Sequence, residues 1–171
     1  LCGGMSAAAA DYFYAGEAVP EAKDPPGDGT RMFNYLQQRQ FDSLGSMGLM
    51  AVRFAEWMKL PDIGEQSTTR RTAREIPGIV ARLEEGELVP LGLVKTRIGD
   101  GMIWDNHQVL AYGVRMVGED AVDLLVYDPN YPLDDDHVIR VRGPGAQPRN
   151  AEGKKSTAGR ETESAGAAVT I

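Results

Sequence analysis

The sequence of 171 residues contains one cysteine and two histidines, and this scarcity excludes whole classes of function. A single cysteine rules out an internal disulfide, so nothing argues for an oxidising compartment. One cysteine and two histidines also offer no ligand spacing for zinc. No apolar run approaches the roughly 20 residues that span a bilayer, so no membrane segment is expected here. Positive charge is in deficit: 18 Lys and Arg against 25 Asp and Glu give a net charge of -7. Such a chain has no global basic field to gather nucleic acid or an anionic membrane surface. Aromatic residues are absent from residues 143–171, which are rich in Gly, Ala, Ser, Thr and charge. That stretch is expected to be a disordered tail, because it cannot supply a packed core.

The remainder suits one globular domain over residues 1–142. Hydrophobic residues at 42% and charged residues at 25% are ordinary, and the length suffices to bury a core without metal or disulfides. Helical periods come first. Met5, Ala8, Ala9, Tyr12 and Phe13 share one face of a first helix. Met32, Phe33, Leu36, Phe41 and Leu44 stripe residues 31–44, with Asp28 or Thr30 as cap and a break at Gly45 and Gly48. Met50, Phe54, Trp57 and Met58 follow over 49–60, stopped by Pro61, and this stripe reads as core rather than as a cofactor box. Ile76, Ile79, Val80 and Leu83 make a fourth pattern, with Pro77 in its first turn and Gly86 just past its end. The polar stretch before it carries Arg70, Arg71 and Arg74 and reads as a solvated loop or helix start.

From Leu88 the period becomes extended. Strands are expected over 89–95, 107–116, 121–127 and 137–141, the middle two joined as a hairpin, with Pro90 marking a strand start or an edge. The predicted fold is α+β, with N-terminal helices packed on one side of a C-terminal antiparallel sheet.

Chemistry concentrates at three points. Cys2 stands at the N-terminus of the first helix, where free N–H groups and the helix dipole favour a thiolate. Gly3 and Gly4 leave room for another chain beside the sulfur. His107 opens a strand in NHQVLAYGV, and Asp128 ends the next strand in VYDPN. Antiparallel neighbours bring such ends together, which supplies a base and the group that orients it. Taken singly, these residues also fit a small buried hydrophobe, a core histidine and a turn-forming aspartate. Taken together, Cys2, His107 and Asp128 fill the three roles of a nucleophilic site. Asn106 and Asn130 are further candidates for the orienter, and His137 reads as structural. Asp128 and Asp134 to Asp136 offer oxygen ligands but lack the alternating spacing of a calcium loop, so they read as a solvated acidic turn. No metal or cofactor is expected.

This order of residues resembles the papain-like cysteine peptidases, and within them the bacterial branch that includes the leader-peptide-processing domains of bacteriocin exporters. Cys2-Gly3-Gly4, His107 to Gly113 and Asp128-Pro129 carry the likeness. The resemblance implies a papain-like fold, with Cys2 as nucleophile, His107 as general base and Asp128 as orienter. A peptide or amide substrate would be hydrolysed through a thioester. The family also places a glutamine a few residues before the cysteine. Only Leu1 precedes Cys2 here, so the expectation is a chain truncated at its N-terminus. The family's further strand beyond residue 141 is likewise missing from the pattern. Two other functions stay open: a papain-like binding or regulatory module with an inert cysteine, and a thiol acyltransferase of transglutaminase type. Without disulfides the chain leans towards the cytoplasm, with an upstream signal peptide and the oligomeric state both left open.

Overall fold

The computed structural model describes residues 1–22, 24–43, 49–61, 63–118, 121–142 and 168–170. Helices α1 (Cys2–Ala15), α2 (Arg31–Ser43), α3 (Leu49–Trp57) and α4 (Thr68–Glu84) come first. Strands β1 (Val89–Val94), β2 (His107–Met116), β3 (Ala121–Tyr127), β4 (Val138–Arg142) and β5 (Ala168–Thr170) follow. The sheet order is β4-β3-β2-β1-β5, with every neighbour antiparallel. The α+β class, helices first and antiparallel sheet second, is as expected from the patterning.

Local chemistry explains most boundaries. Thr30 Oγ1 accepts the Phe33 N–H at 3.2 Å and starts α2. Ser67 does the same for α4, accepting from the Arg70 N–H at 3.3 Å. That cap moves the start of α4 eight residues ahead of Ile76 and corrects the position of Pro77, which sits well inside the helix. Pro77 lacks an N–H, so the Ala73 carbonyl loses its intrahelical partner there. Gly86 closes the helix with φ at 81°, a backbone conformation that side chains disfavour. Pro90 lies where β1 has only β2 beside it among the described residues, so its missing N–H costs no ladder bond on the other side.

The main core is α4 against one sheet face. Ile76, Ile79, Val80 and Leu83 pack with Val89, Leu91, Leu93, Val109, Ala111, Val122, Leu124, Val126 and Ile139. Side chains alternate along a strand. Leu110, between Val109 and Ala111, therefore points the other way, where it joins Ala9 of α1 and Leu88. Hence α1 and α4 cover opposite faces, which corrects the expectation of helices on one side only. The expected first-helix face is also only half right. Ala8 and Ala9 are buried with Gly3, Gly4 and Ser6, while Phe13 is exposed. Small residues let α1 approach α2 closely, and a large ring has no place in that contact. Phe54, Trp57 and Met58 of the third-helix stripe pack on Val94, as core.

Two expectations fall on residues outside the description. These are the break at Gly45 and Gly48, and most of the disordered tail (143–167 and 171). Within that segment residues 168–170 form a strand instead, with Val169 opposite Leu93 of β1. β-Branched Val169 and Thr170 suit a strand, and β1 has main-chain groups free on its side away from β2.

Candidate active site

The antiparallel β2–β3 pair sets the geometry. His107 opens β2 and Asp128 directly follows β3, so both stand at one end of the sheet. His107 Nε2 lies 2.8 Å from Asp128 Oδ1. The main-chain N–H of Asn130 donates to the same oxygen at 2.8 Å and fixes the carboxylate in an Asx turn before Pro129. The pair is well covered, with side-chain exposures of 7% for His107 and 16% for Asp128. Since Nε2 is committed to Asp128, the ring's other nitrogen, Nδ1, is left for the thiol.

The Cys2 thiol comes from the opposite direction, at the first turn of α1, and is partly exposed. It stands close enough to the His107 side chain and the Gln108 main chain for both to act on its ionisation. Burial pushes the thiol up, but the His107 and Gln108 hydrogen bonds and the imidazolium charge outweigh it, and the pKa falls below the ordinary value. For His107, burial pushes down, while the bonds and charges of Asp128 and Cys2 raise its pKa to about 9. Burial likewise opposes ionisation of Asp128, and His107, the Asn130 N–H and the charge of His137 together hold it low. Opposite shifts on the two neighbouring groups favour the thiolate–imidazolium form over the neutral pair, the two titrating as one unit.

Two glutamines hold the helix that carries Cys2, and the sequence signals neither. Gln40 Oε1 of α2 accepts the Gly4 N–H at 2.9 Å. The buried Gln108 side chain lies against Gly3, and a Cβ there would also meet Ser43 Oγ at 2.6 Å. Gly3 and Gly4 are thus needed for close approach, although the approaching groups are Gln108 and α2. Ser6 Oγ adds a bond to the Gln108 carbonyl at 3.3 Å. With Gly4 N–H on Gln40 and Met5 N–H on the Leu1 carbonyl, the N–H groups of Cys2 and Gly3 keep no partner among the described residues. They stand at the positive end of the helix dipole.

The other candidates separate cleanly. Asn106 does not orient the imidazole. Its Oδ1 accepts the Lys95 N–H at 3.0 Å and its Nδ2 donates to the Ile103 carbonyl at 3.0 Å, pinning the loop that leads into β2. Asn130 is near the ring, with Nδ2 3.4 Å from His107 Nε2. His137 stacks on Tyr131 at 4.7 Å, and its Nε2 lies 3.3 Å from Asp134. Arg70 and Arg74 both lie beside Glu65 on the solvent side of α4. Asp134 Oδ1 accepts the Asp136 N–H at 3.0 Å, so it braces the acidic turn.

An apolar cleft of about 340 Å³ lies between α1, α2 and the residues at the end of β3, and Cys2, His107 and Asp128 are not among its walls. Met5 and Ala8 of α1, Leu36 of α2, Pro25, Tyr127 and Asn130 are among its walls. Asn130 therefore borders both the cleft and the histidine. No described helix is long and apolar enough to cross a membrane. Comparison of the chain with protein-family models, curated proteins and solved structures finds no match.

Proposed function

We propose that the protein is a cysteine-type peptidase or amide hydrolase in which Cys2, His107 and Asp128 form the catalytic triad of a papain-like domain. One observation carries this reading: His107 Nε2 is held by Asp128 at 2.8 Å, and the Cys2 thiol stands near enough to the same ring for each to shift the other's ionisation. An inert cysteine has no need of an imidazole fixed in this way.

The Cys2 thiolate attacks the carbonyl carbon of a scissile amide. The oxyanion so formed is received by the N–H groups of Cys2 and Gly3. His107 passes its proton to the leaving nitrogen, the C–N bond breaks, and a thioester remains on Cys2. His107 then takes a proton from water, the hydroxide adds to the thioester, and the acid departs as the thiolate is restored. Asp128 keeps the ring in plane and stabilises its charged form throughout. The apolar cleft next to Asn130 favours acyl substrates with an apolar side chain.

The test is the pH dependence of Cys2 alkylation by iodoacetamide. The wild type should react well below pH 8.5, about the ordinary cysteine pKa. His107→Ala should return the profile to that value, and Cys2→Ala should abolish labelling and any amidase activity. Coincident wild-type and His107→Ala profiles from about pH 5 to 9 would refute the triad and favour a binding module.

A further inference from the structure

We propose that His107 has two orienters, the second being the carboxamide of Asn130, which stands at the same ring nitrogen as the Asp128 carboxylate and takes its hydrogen bond when that carboxylate is removed. The inference rests on the triad reading above. Asn130 Nδ2 lies 3.4 Å from His107 Nε2, and the Asn130 main-chain N–H donates to Asp128 Oδ1 at 2.8 Å. One residue thus anchors the carboxylate from its main chain and flanks the His107–Asp128 contact with its side chain.

Asp128 accepts the Nε2–H hydrogen bond in the intact site because a charged acceptor wins over a neutral one. A carboxamide has a donor end and an acceptor end, exchanged by rotation of the side chain. Turned so that Oδ1 faces Nε2, Asn130 becomes a neutral acceptor in almost the same place. A neutral acceptor preserves the tautomer and ring plane but stabilises the imidazolium less. The charged groups acting on the ring are Cys2 and Asp128, and His137 acts on Asp128 from across the 128–137 loop. Asn130 is exposed, so truncating its side chain leaves the core intact, and while Asp128 is present the main-chain bond to it survives any substitution at position 130 other than proline.

The experiment compares iodoacetamide profiles of Cys2 in the wild type, Asp128→Ala, Asn130→Ala, the Asp128→Ala/Asn130→Ala double variant and His107→Ala, each checked for folding by thermal melting. Asp128→Ala should remain more reactive than His107→Ala at acid pH. Asn130→Ala alone should stay within about twofold of wild type, and the double variant should lose about fivefold more than Asp128→Ala, the worth of one neutral hydrogen bond. Moving the carboxylate, in Asp128→Ala/Asn130→Asp, should restore reactivity above that of Asp128→Ala. The inference fails if the double variant matches Asp128→Ala, or if Asn130→Ala alone falls as far as the double variant. A His107 effect that persists without any Asn130 effect overturns this inference alone. Loss of the His107 effect overturns the triad and this inference together.

Discussion

Gly4 decides where α1 sits, and replacing it with alanine isolates that role. Two effects oppose each other. Alanine is the better helix former, worth about 0.8–1 kcal/mol inside a helix and less in the first turn. Against this, a Cβ on Gly4 collides with the Leu36 carbonyl oxygen and crowds Gln40, whose N and Cβ lie 3.0 and 3.1 Å from it. The Leu36 carbonyl belongs to the α2 main chain and cannot rotate away, so the helices must part at a cost of roughly 1–3 kcal/mol. Parting also weakens the 2.9 Å bond from Gly4 N–H to Gln40 Oε1, worth about 1 kcal/mol. The cost wins, and Gly4→Ala should destabilise the protein by roughly 1–3 kcal/mol. Gly78, on the exposed side of α4, has nothing within 4 Å of its Cβ position. Gly78→Ala should therefore stabilise by up to about 1 kcal/mol. At about 2–4 °C per kcal/mol for a chain of this size, thermal melts followed by circular dichroism separate the two variants in opposite directions. Gly4→Ala should also slow Cys2 alkylation near neutral pH, because α1 carries the thiol away from His107. A Gly4→Ala protein that melts at or above the wild-type temperature would refute the close-approach argument.

Two further outcomes follow from charges held in the fold. Asp123 is 0% exposed and accepts from Arg115 at 2.7 Å and from Arg140 at 2.7 and 3.0 Å. Asp123→Asn should cost about 3–5 kcal/mol in urea unfolding, as for other broken buried pairs, and a loss under about 1 kcal/mol would contradict this. Burial disfavours its charge, but both guanidiniums hold its pKa low. Its stabilisation is thus present above the ordinary carboxylate range, is lost as pH falls through the folded value, and should be missing from the acid limb of the variant. His107 has the reverse sign: raised to about 9, it stabilises fully below about pH 6.5, and that share is lost as pH rises towards about 9. Cys2→Ala removes the opposing thiolate and should show this decline over a window shortened at its upper end, since Asp128 alone then holds the proton. Adding His107→Ala should flatten it, and a decline of equal slope in the double variant would exclude His107 as its source.

What could be read from the chain alone divides by the range of the interactions concerned. The alternation in β2 and β3 and the Asp-Pro stop after Tyr127 are local signals, and antiparallel pairing of adjacent strands turns them into a place: the start of one strand beside the end of the next. That is why the sequence pairs His107 with Asp128 and puts Cys2 at a helix start. The misses depend on partners far along the chain. Asp123 in AVDLLV looks like a solvent-facing alternate residue. Its burial follows from the register, which sets Arg115 and Arg140 directly opposite it on the two neighbouring strands, beyond an irregularity between Ala111 and Gly113 that shifts the pairing. The strand at 168–170 pairs with a partner some 75 residues earlier, and three residues of suitable propensity cannot announce such a contact. The side chosen by α1 is equally silent. Ala8 and Ala9 satisfy a helical period on either sheet face, and only their smallness, with that of Gly3 and Gly4, hints at contact with a second helix. The same smallness ties fold to chemistry. Larger residues at those positions would add apolar burial and hold α1 away from α2 and Gln108, and with it the Cys2 thiol from His107. The buried area forgone at the start of α1 is the structural condition for bringing a cysteine, from the far end of the chain, onto a histidine that the sheet has already oriented.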